Sequence, residues 1–206
     1  MATARLIVQL VAIGVALWYL ITLPFWINHM LILFVIFALL ELLGYGWNLF
    51  HSPIQTSRNR LAWLASLLMA VYPSFVSRMI QYPIHNFTLL MQVGSSLQYI
   101  AILFEIVALA TLRTSFTILP ESHRFVRQGI YRFVRHPLYS AYFVGYGGFA
   151  LSINQPAIWI VYMVLVVSEI IRAKAEETVL LKTFPEYNIY RQQTGMFWPM
   201  LKGGEK

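Results

Sequence analysis

Two short clusters in this chain combine charge, imidazole and phenol at spacings that can hold a ligand. The first is Tyr131, Arg135, His136, Pro137 and Tyr139 within GIYRFVRHPLY; the second is Arg172 and Glu176 within SEIIRAKAEETVLLKTFPEYNIY. Pro137 suits the first position of a helix, because its missing N–H would be unbonded there anyway. His136 then falls at the cap, where free backbone N–H groups and the positive end of the helix dipole favour an anionic group. Arg135 and His136 add donors at the same threshold, so a carboxylate or phosphate would be well held. The plainer alternative has Arg135 anchoring the helix at the lipid headgroups and His136 capping it. Arg172 and Glu176 stand four apart and share a helix face, with Glu169 on the same stripe. They can form an intrahelical ion pair worth about 0.2–0.5 kcal/mol. Alternatively, the Arg holds a ligand's anion and the Glu a cationic or hydroxyl group.

The elements that must position these residues are membrane helices. Of 206 residues, 59% are hydrophobic and only 11% charged, against about 25% charged in soluble domains. A hydrocarbon core about 30 Å thick needs roughly 20 apolar residues of helix. Leu6 to Phe25 and Met30 to Phe50 supply such runs, followed by Leu61 to about Ile80, interrupted by Pro73, and Asn86 to Leu112. Leu138 to Ile153 and Pro156 to Ile171 are runs of 16 residues each, joined by Asn154 and Gln155. At about 1.5 Å per residue each reaches roughly 24 Å, which predicts a tight hairpin that barely spans. The expected fold is thus all-α: an integral membrane bundle of four transmembrane helices, a C-terminal helical hairpin and a cytoplasmic amphipathic tail helix.

Alternating the runs from a cytoplasmic N-terminus puts 14 of the 15 Lys and Arg on one side, with Arg78 on the other. Cytoplasmic loops collect Lys and Arg, so the expected topology is N-in and C-in. The net charge of +7 is explained by that orientation and by attraction to anionic lipid, without nucleic acid. The chain has no Cys, which excludes a catalytic thiol and cysteine-ligated metals. His29, His51 and His85 show no metal-ligand spacing, so no metal site is expected. Glu41 and Glu105 lie inside apolar runs, where a carboxyl group faces a bundle interior or a cavity; a proton relay and a hydrogen-bonded packing role are both open. Ala141, Gly145 and Gly148 form a small-residue ridge suited to close helix packing.

GIYRFVRHPLY, followed about 30 residues later by RAKAEETVLLKTFPEYNIY, resembles the C-terminal signature of the isoprenylcysteine carboxyl methyltransferase family and its relatives, the phospholipid N-methyltransferases. The resemblance covers roughly residues 111 to 200. It implies a membrane enzyme that transfers a methyl group from S-adenosylmethionine, held in a cytoplasm-facing pocket, to a lipophilic substrate entering from the bilayer. On this resemblance 1–112 are the N-terminal transmembrane helices and 113–206 the cofactor-binding region, within one integrated membrane domain. It assigns His123, Val126, Tyr131, Arg135, His136, Pro137, Tyr139 and Glu176 to the cofactor. Arg172 takes the substrate-facing position, and Arg172 and Glu176 are the catalytic candidates. This chain departs from the family's pattern at Phe116, where eukaryotic members carry Gln, and at Ala141, where many relatives carry Gly. The acceptors in view are an isoprenylcysteine-type carboxylate, a phospholipid amine and a small thiol. A sterol-type membrane reductase using NADPH and a non-catalytic transport or scaffold protein are the other classes. A short chain of this kind suits a prokaryotic inner membrane.

Overall fold

The computed structural model describes residues 53–68, 89–112, 120–122 and 125–200, with isolated helical positions between 6 and 14. The first two expected spans and most of the run from Leu61 to Ile80 therefore lie outside the described residues, as do Glu41, His29, His51, His85 and His123.

The described chain is helical apart from one small ladder. Strand β1 (Gln55–Thr56) pairs antiparallel with β2 (Glu121–Ser122), Gln55 opposite Ser122 and Thr56 opposite Glu121. The Ser57 amide extends the ladder by donating to the Pro120 carbonyl at 2.9 Å. This ladder amends the all-α expectation. It is two residues long because Asn59 then starts a helical segment over 60–68, its Oδ1 accepting from the Leu61 amide at 3.0 Å, the usual N-cap service of Asn.

Helix α1 (Leu89–Leu112) has 24 residues, about 36 Å at 1.5 Å per residue. It buries Gly94, Gln98, Ala101, Glu105 and Ala108, at alternating spacings of four and three. Its exposed face carries Val93, Ile100, Leu103, Phe104 and Val107. Polar and small residues point inward and large apolar ones outward. That inversion of a soluble helix is what lipid imposes, since apolar side chains lose nothing there while Gln and Glu need protein partners.

Helix α2 (Pro137–Ile153) packs along α1 and is buried on nearly all sides. The two backbones approach closely where Gly94 faces Gly148: a Cβ on Gly148 would lie 2.6 Å from the Gly94 carbonyl oxygen. Gln98 Nε2 donates to Ser152 Oγ at 3.3 Å across the same crossing. The small-residue ridge thus serves helix packing, with Gly145 meeting Ala101 further along. Asn154 ends α2 in the left-handed conformation at φ 48°, which Asn tolerates better than most residues.

Helix α3 (Pro156–Thr183) begins on its proline as the pattern requires, but it has 28 residues. The expected second arm ended at Ile171, where the apolar run stops. The helix continues through Arg172–Thr183 because Ala173, Lys174, Ala175, Glu176 and Glu177 are good helix formers and because that stretch is packed: Arg172, Ala173, Ala175, Glu177 and Val179 are buried. The arms are therefore unequal, and α3 carries its charged end well past the start of α2.

A short helix, α4 (Tyr187–Gln193), follows. The chain then returns to lie beside the segment that leads into α2. Val134 and Gly195 form a parallel bridge. The Arg135 and His136 amides donate to the Gly195 and Met196 carbonyls at 2.8 and 2.9 Å. Gly195 is required here: a Cβ would fall 1.7 Å from the Trp198 carbonyl oxygen.

Candidate functional site

The site is built where the start of α2 meets the charged half of α3. Pro137 sits at the first turn of α2 with His136 at the cap, as the spacing predicts, but the imidazole makes no capping hydrogen bond. Instead the ring stacks on Tyr139, with centroids 5.3 Å apart and planes within 2°. Its Nδ1 lies 3.7 Å from Glu176 Oε2 and its Nε2 3.4 Å from Glu177 Oε1. The latter contact is out of line for a hydrogen bond, leaving Nε2 buried and unbonded. The capping role is thus corrected: the side chain turns toward α3, drawn by two carboxylates.

The Tyr139 hydroxyl donates to Glu176 Oε1. Its ring also lies under the Arg172 guanidinium, 5.1 Å from the centroid, a placement that adds a cation–π attraction. Arg172 also feels the charge of Glu176. Its Nη1 donates to Glu169 Oε1 at 2.9 Å and Oε2 at 3.2 Å, three residues back on the same helix. Both side chains are almost fully buried. Glu169 is thus a hydrogen-bonded intrahelical partner of Arg172, while Tyr139 of α2 donates to Glu176.

Arg135 points out of this cluster and organises its flank. Its Nε donates to Glu177 Oε1 at 2.6 Å; Nη1 donates to the Arg191 carbonyl at 2.9 Å and to the Thr194 carbonyl. One guanidinium thus ties α3, α4 and the returning tail together. Tyr131, in a 3-10 turn over Gly129–Arg132, is buried beside the core, and its carbonyl accepts from the Tyr190 hydroxyl. Burial pushes the Tyr131 phenol well above the usual tyrosine range, with the negative charge of Glu176 adding to the effect. Tyr187 and Tyr190 are raised by burial as well.

Val126 is set apart from this cluster. It lines a cavity of about 760 Å³ with Thr111, Gln128, Gly129, Phe184 and Glu186, at the C-terminal end of α1. Gly129 there has φ +55° and abuts Thr111. The structure thus brings Tyr131, His136, Pro137, Tyr139, Arg172 and Glu176 together, with Arg135 behind them and Val126 at a neighbouring opening. Sequence reasoning missed Glu177, although it adjoins Glu176, and the tail residues Thr194 to Phe197, for which Gly195 was the one available signal.

Two described helices, α1 and α3, are long and apolar enough to cross a bilayer, and the lipid-like exterior of α1 agrees with that. The class is a membrane protein with a buried polar cluster at one end of its spans. Residues 89–187, from the start of α1 to the first residue of α4, match the family model described as phospholipid methyltransferase. The matched segment contains every described residue of the cluster, covers just under half of the chain, and indicates a membrane methyltransferase. Isoprenylcysteine methyltransferase-like proteins fall in the same family. No curated protein shows a significant match to the chain.

Proposed function

We propose that the protein is an integral membrane methyltransferase that moves a methyl group from S-adenosylmethionine to a lipophilic acceptor entering from the bilayer, the acceptor being a carboxylate of the isoprenylcysteine type. The observation that carries this reading is the Tyr139–Glu176 hydrogen bond with His136 stacked beside it, inside the matched segment.

The residues present fit the donor molecule. Glu176 offers a carboxylate to an amino group, and the Tyr142 ring suits a sulfonium cation, with the buried His136 imidazole beside Glu176. Tyr131 borders this proposed pocket and Arg135 holds its flank; His123 and Val126 are assigned to the donor by the family resemblance alone. When bound, the sulfonium supplies an already activated methyl group. The protein's task is then to orient the acceptor in line with it, a service that can lower a barrier by roughly 7–11 kcal/mol. Arg172 is the group to position an anionic acceptor, and the returning tail keeps water from the start of α2. A carboxylate acceptor needs no base.

A second reading, a phospholipid amine as acceptor, is favoured by the Arg172–Glu169 pair, which already matches the guanidinium charge. In that case Glu176 is the base that takes the amine's proton. Four transmembrane spans with the hairpin and tail, an N-in and C-in topology and a prokaryotic inner membrane belong to the same proposal.

Purified protein incubated with methyl-labelled S-adenosylmethionine and either a farnesylated cysteine or phosphatidylethanolamine tests it. Label released as methanol by base identifies a carboxyl ester; label retained in lipid identifies the amine. Calorimetric binding of NADPH with none of S-adenosylhomocysteine would overturn the methyltransferase reading in favour of a reductase.

A further inference from the structure

A second opening adjoins the Val126 cavity, sharing Arg127 and Glu186 with it. It is a groove of about 840 Å³, whose walls include Arg127, Arg132, Phe133, Glu186, Ile189 and Met200. Two features set it apart from an ordinary solvated face. Its large apolar side chains are left open: Phe133 is 52% exposed, Ile189 62% and Met200 53%, with Trp198 at 62% beside them. Its charge is unbalanced as well, with Arg127 and Arg132 facing one carboxylate, Glu186. Arg135, the neighbouring cation, is taken up by Glu177 and two carbonyls, so it does not contribute.

The Arg132 guanidinium lies 4.5 Å from the centre of the Phe133 ring. A cation and an apolar wedge are thereby presented as a unit, four residues before α2 begins at Pro137. Aromatic and basic side chains so close to the start of a helix in a membrane protein belong at the headgroup layer, where rings and cations are both favoured. A free phosphate would satisfy the arginines and leave Phe133, Ile189 and Met200 in water. A phospholipid satisfies both, its phosphate against the arginines and its upper acyl segment against the apolar side chains.

We infer that this groove is a binding site for an anionic phospholipid of the cytoplasmic leaflet, held by Arg127 and Arg132 with Phe133, Ile189 and Met200 against its acyl chain. The inference rests on the chain's being membrane-embedded and not on methyl transfer. Each basic residue near an anionic surface improves binding about fivefold; with Glu186 offsetting one of the two arginines, the groove predicts a preference of about fivefold for an anionic over a zwitterionic lipid.

The test is native mass spectrometry of the full chain in neutral detergent, titrated with phosphatidylglycerol, phosphatidylcholine or inorganic phosphate. The expected result is retention of phosphatidylglycerol over phosphatidylcholine by about fivefold, without competition from millimolar phosphate. The Arg132→Gln variant, whose side chain lies outside the Val126 cavity, should lose that preference, while S-adenosylhomocysteine affinity, measured separately, stays as in the parent. Equal retention of the two lipids, an undiminished preference in the variant, or displacement by inorganic phosphate would each overturn the inference. Failure to bind S-adenosylhomocysteine in the parent protein would count against the proposed activity and leave the lipid result to be read by itself.

Discussion

Tyr139, in the first turn of α2, donates its phenolic hydrogen bond to Glu176, in the last third of α3. The bond joins two helices whose only covalent link is at the opposite end of the hairpin. It also holds the carboxylate within reach of His136.

Removing that hydroxyl alone should separate its role from that of the ring. In Tyr139→Phe the stacking on His136 and the contact with Arg172 persist, while a hydrogen bond to a charged group, worth about 1.5–3 kcal/mol, is lost. The expected outcome is a lower detergent melting temperature together with weaker S-adenosylhomocysteine binding by calorimetry. A variant of parental affinity would show that Glu176 is positioned by other means.

The Glu169–Arg172 pair is buried on both sides, so breaking it is costly. Glu169→Gln should destabilise the protein by roughly 3–5 kcal/mol, the usual cost of stranding a buried charge. The double variant Glu169→Leu, Arg172→Met should recover much of that in thermal unfolding while losing acceptor turnover. If the single variant melts like the parent, Arg172 is not dependent on this carboxylate.

The close crossing of α1 and α2 gives a graded test. Gly148→Ala places a methyl group 2.6 Å from a backbone carbonyl and should cost about 1–3 kcal/mol as overpacking does. Gly145→Ala meets only the Ala101 methyl at 3.1 Å and should cost less. Comparing melting temperatures of the two variants checks the order; the reverse order would displace the crossing.

Tyr131, Tyr187 and Tyr190 all have phenols raised by burial. For such groups the folded form keeps its proton longer than the unfolded one. Their stabilising effect is complete below the ordinary tyrosine value of about 10 and declines as pH rises beyond it. Alkaline titration should therefore show tyrosinate absorbance from these residues appearing only together with release of the tail, above about pH 10. Smooth ionisation at the ordinary value without unfolding would contradict this.

Prolines marked both hairpin starts clearly, because Pro137 and Pro156 each need a position with no N–H partner. The length of α3 was hidden: hydropathy ends at Ile171, but helix propensity and burial of Arg172 to Val179 carry the helix on. The choice between Glu169 and Glu176 as the partner of Arg172 was hidden too. Both lie on its stripe, and Glu176 also takes a hydrogen bond from Tyr139, a residue more than 30 positions away in sequence. The approach of residues 194–197 to the start of α2 has no periodic signature at all. It rests on backbone hydrogen bonds, to which side-chain patterns are blind.

That last approach sets the order in which the protein comes to life. The amides of Arg135 and His136 find their acceptors on Gly195 and Met196, and the Ser140 hydroxyl finds one on Phe197. A nascent chain that has emerged only as far as Gln193 already holds Tyr139, Arg172 and Glu176, yet the start of α2 is still unclasped. The start of α2 is thus clasped only after the stretch through Phe197 has followed every described helix in chain order.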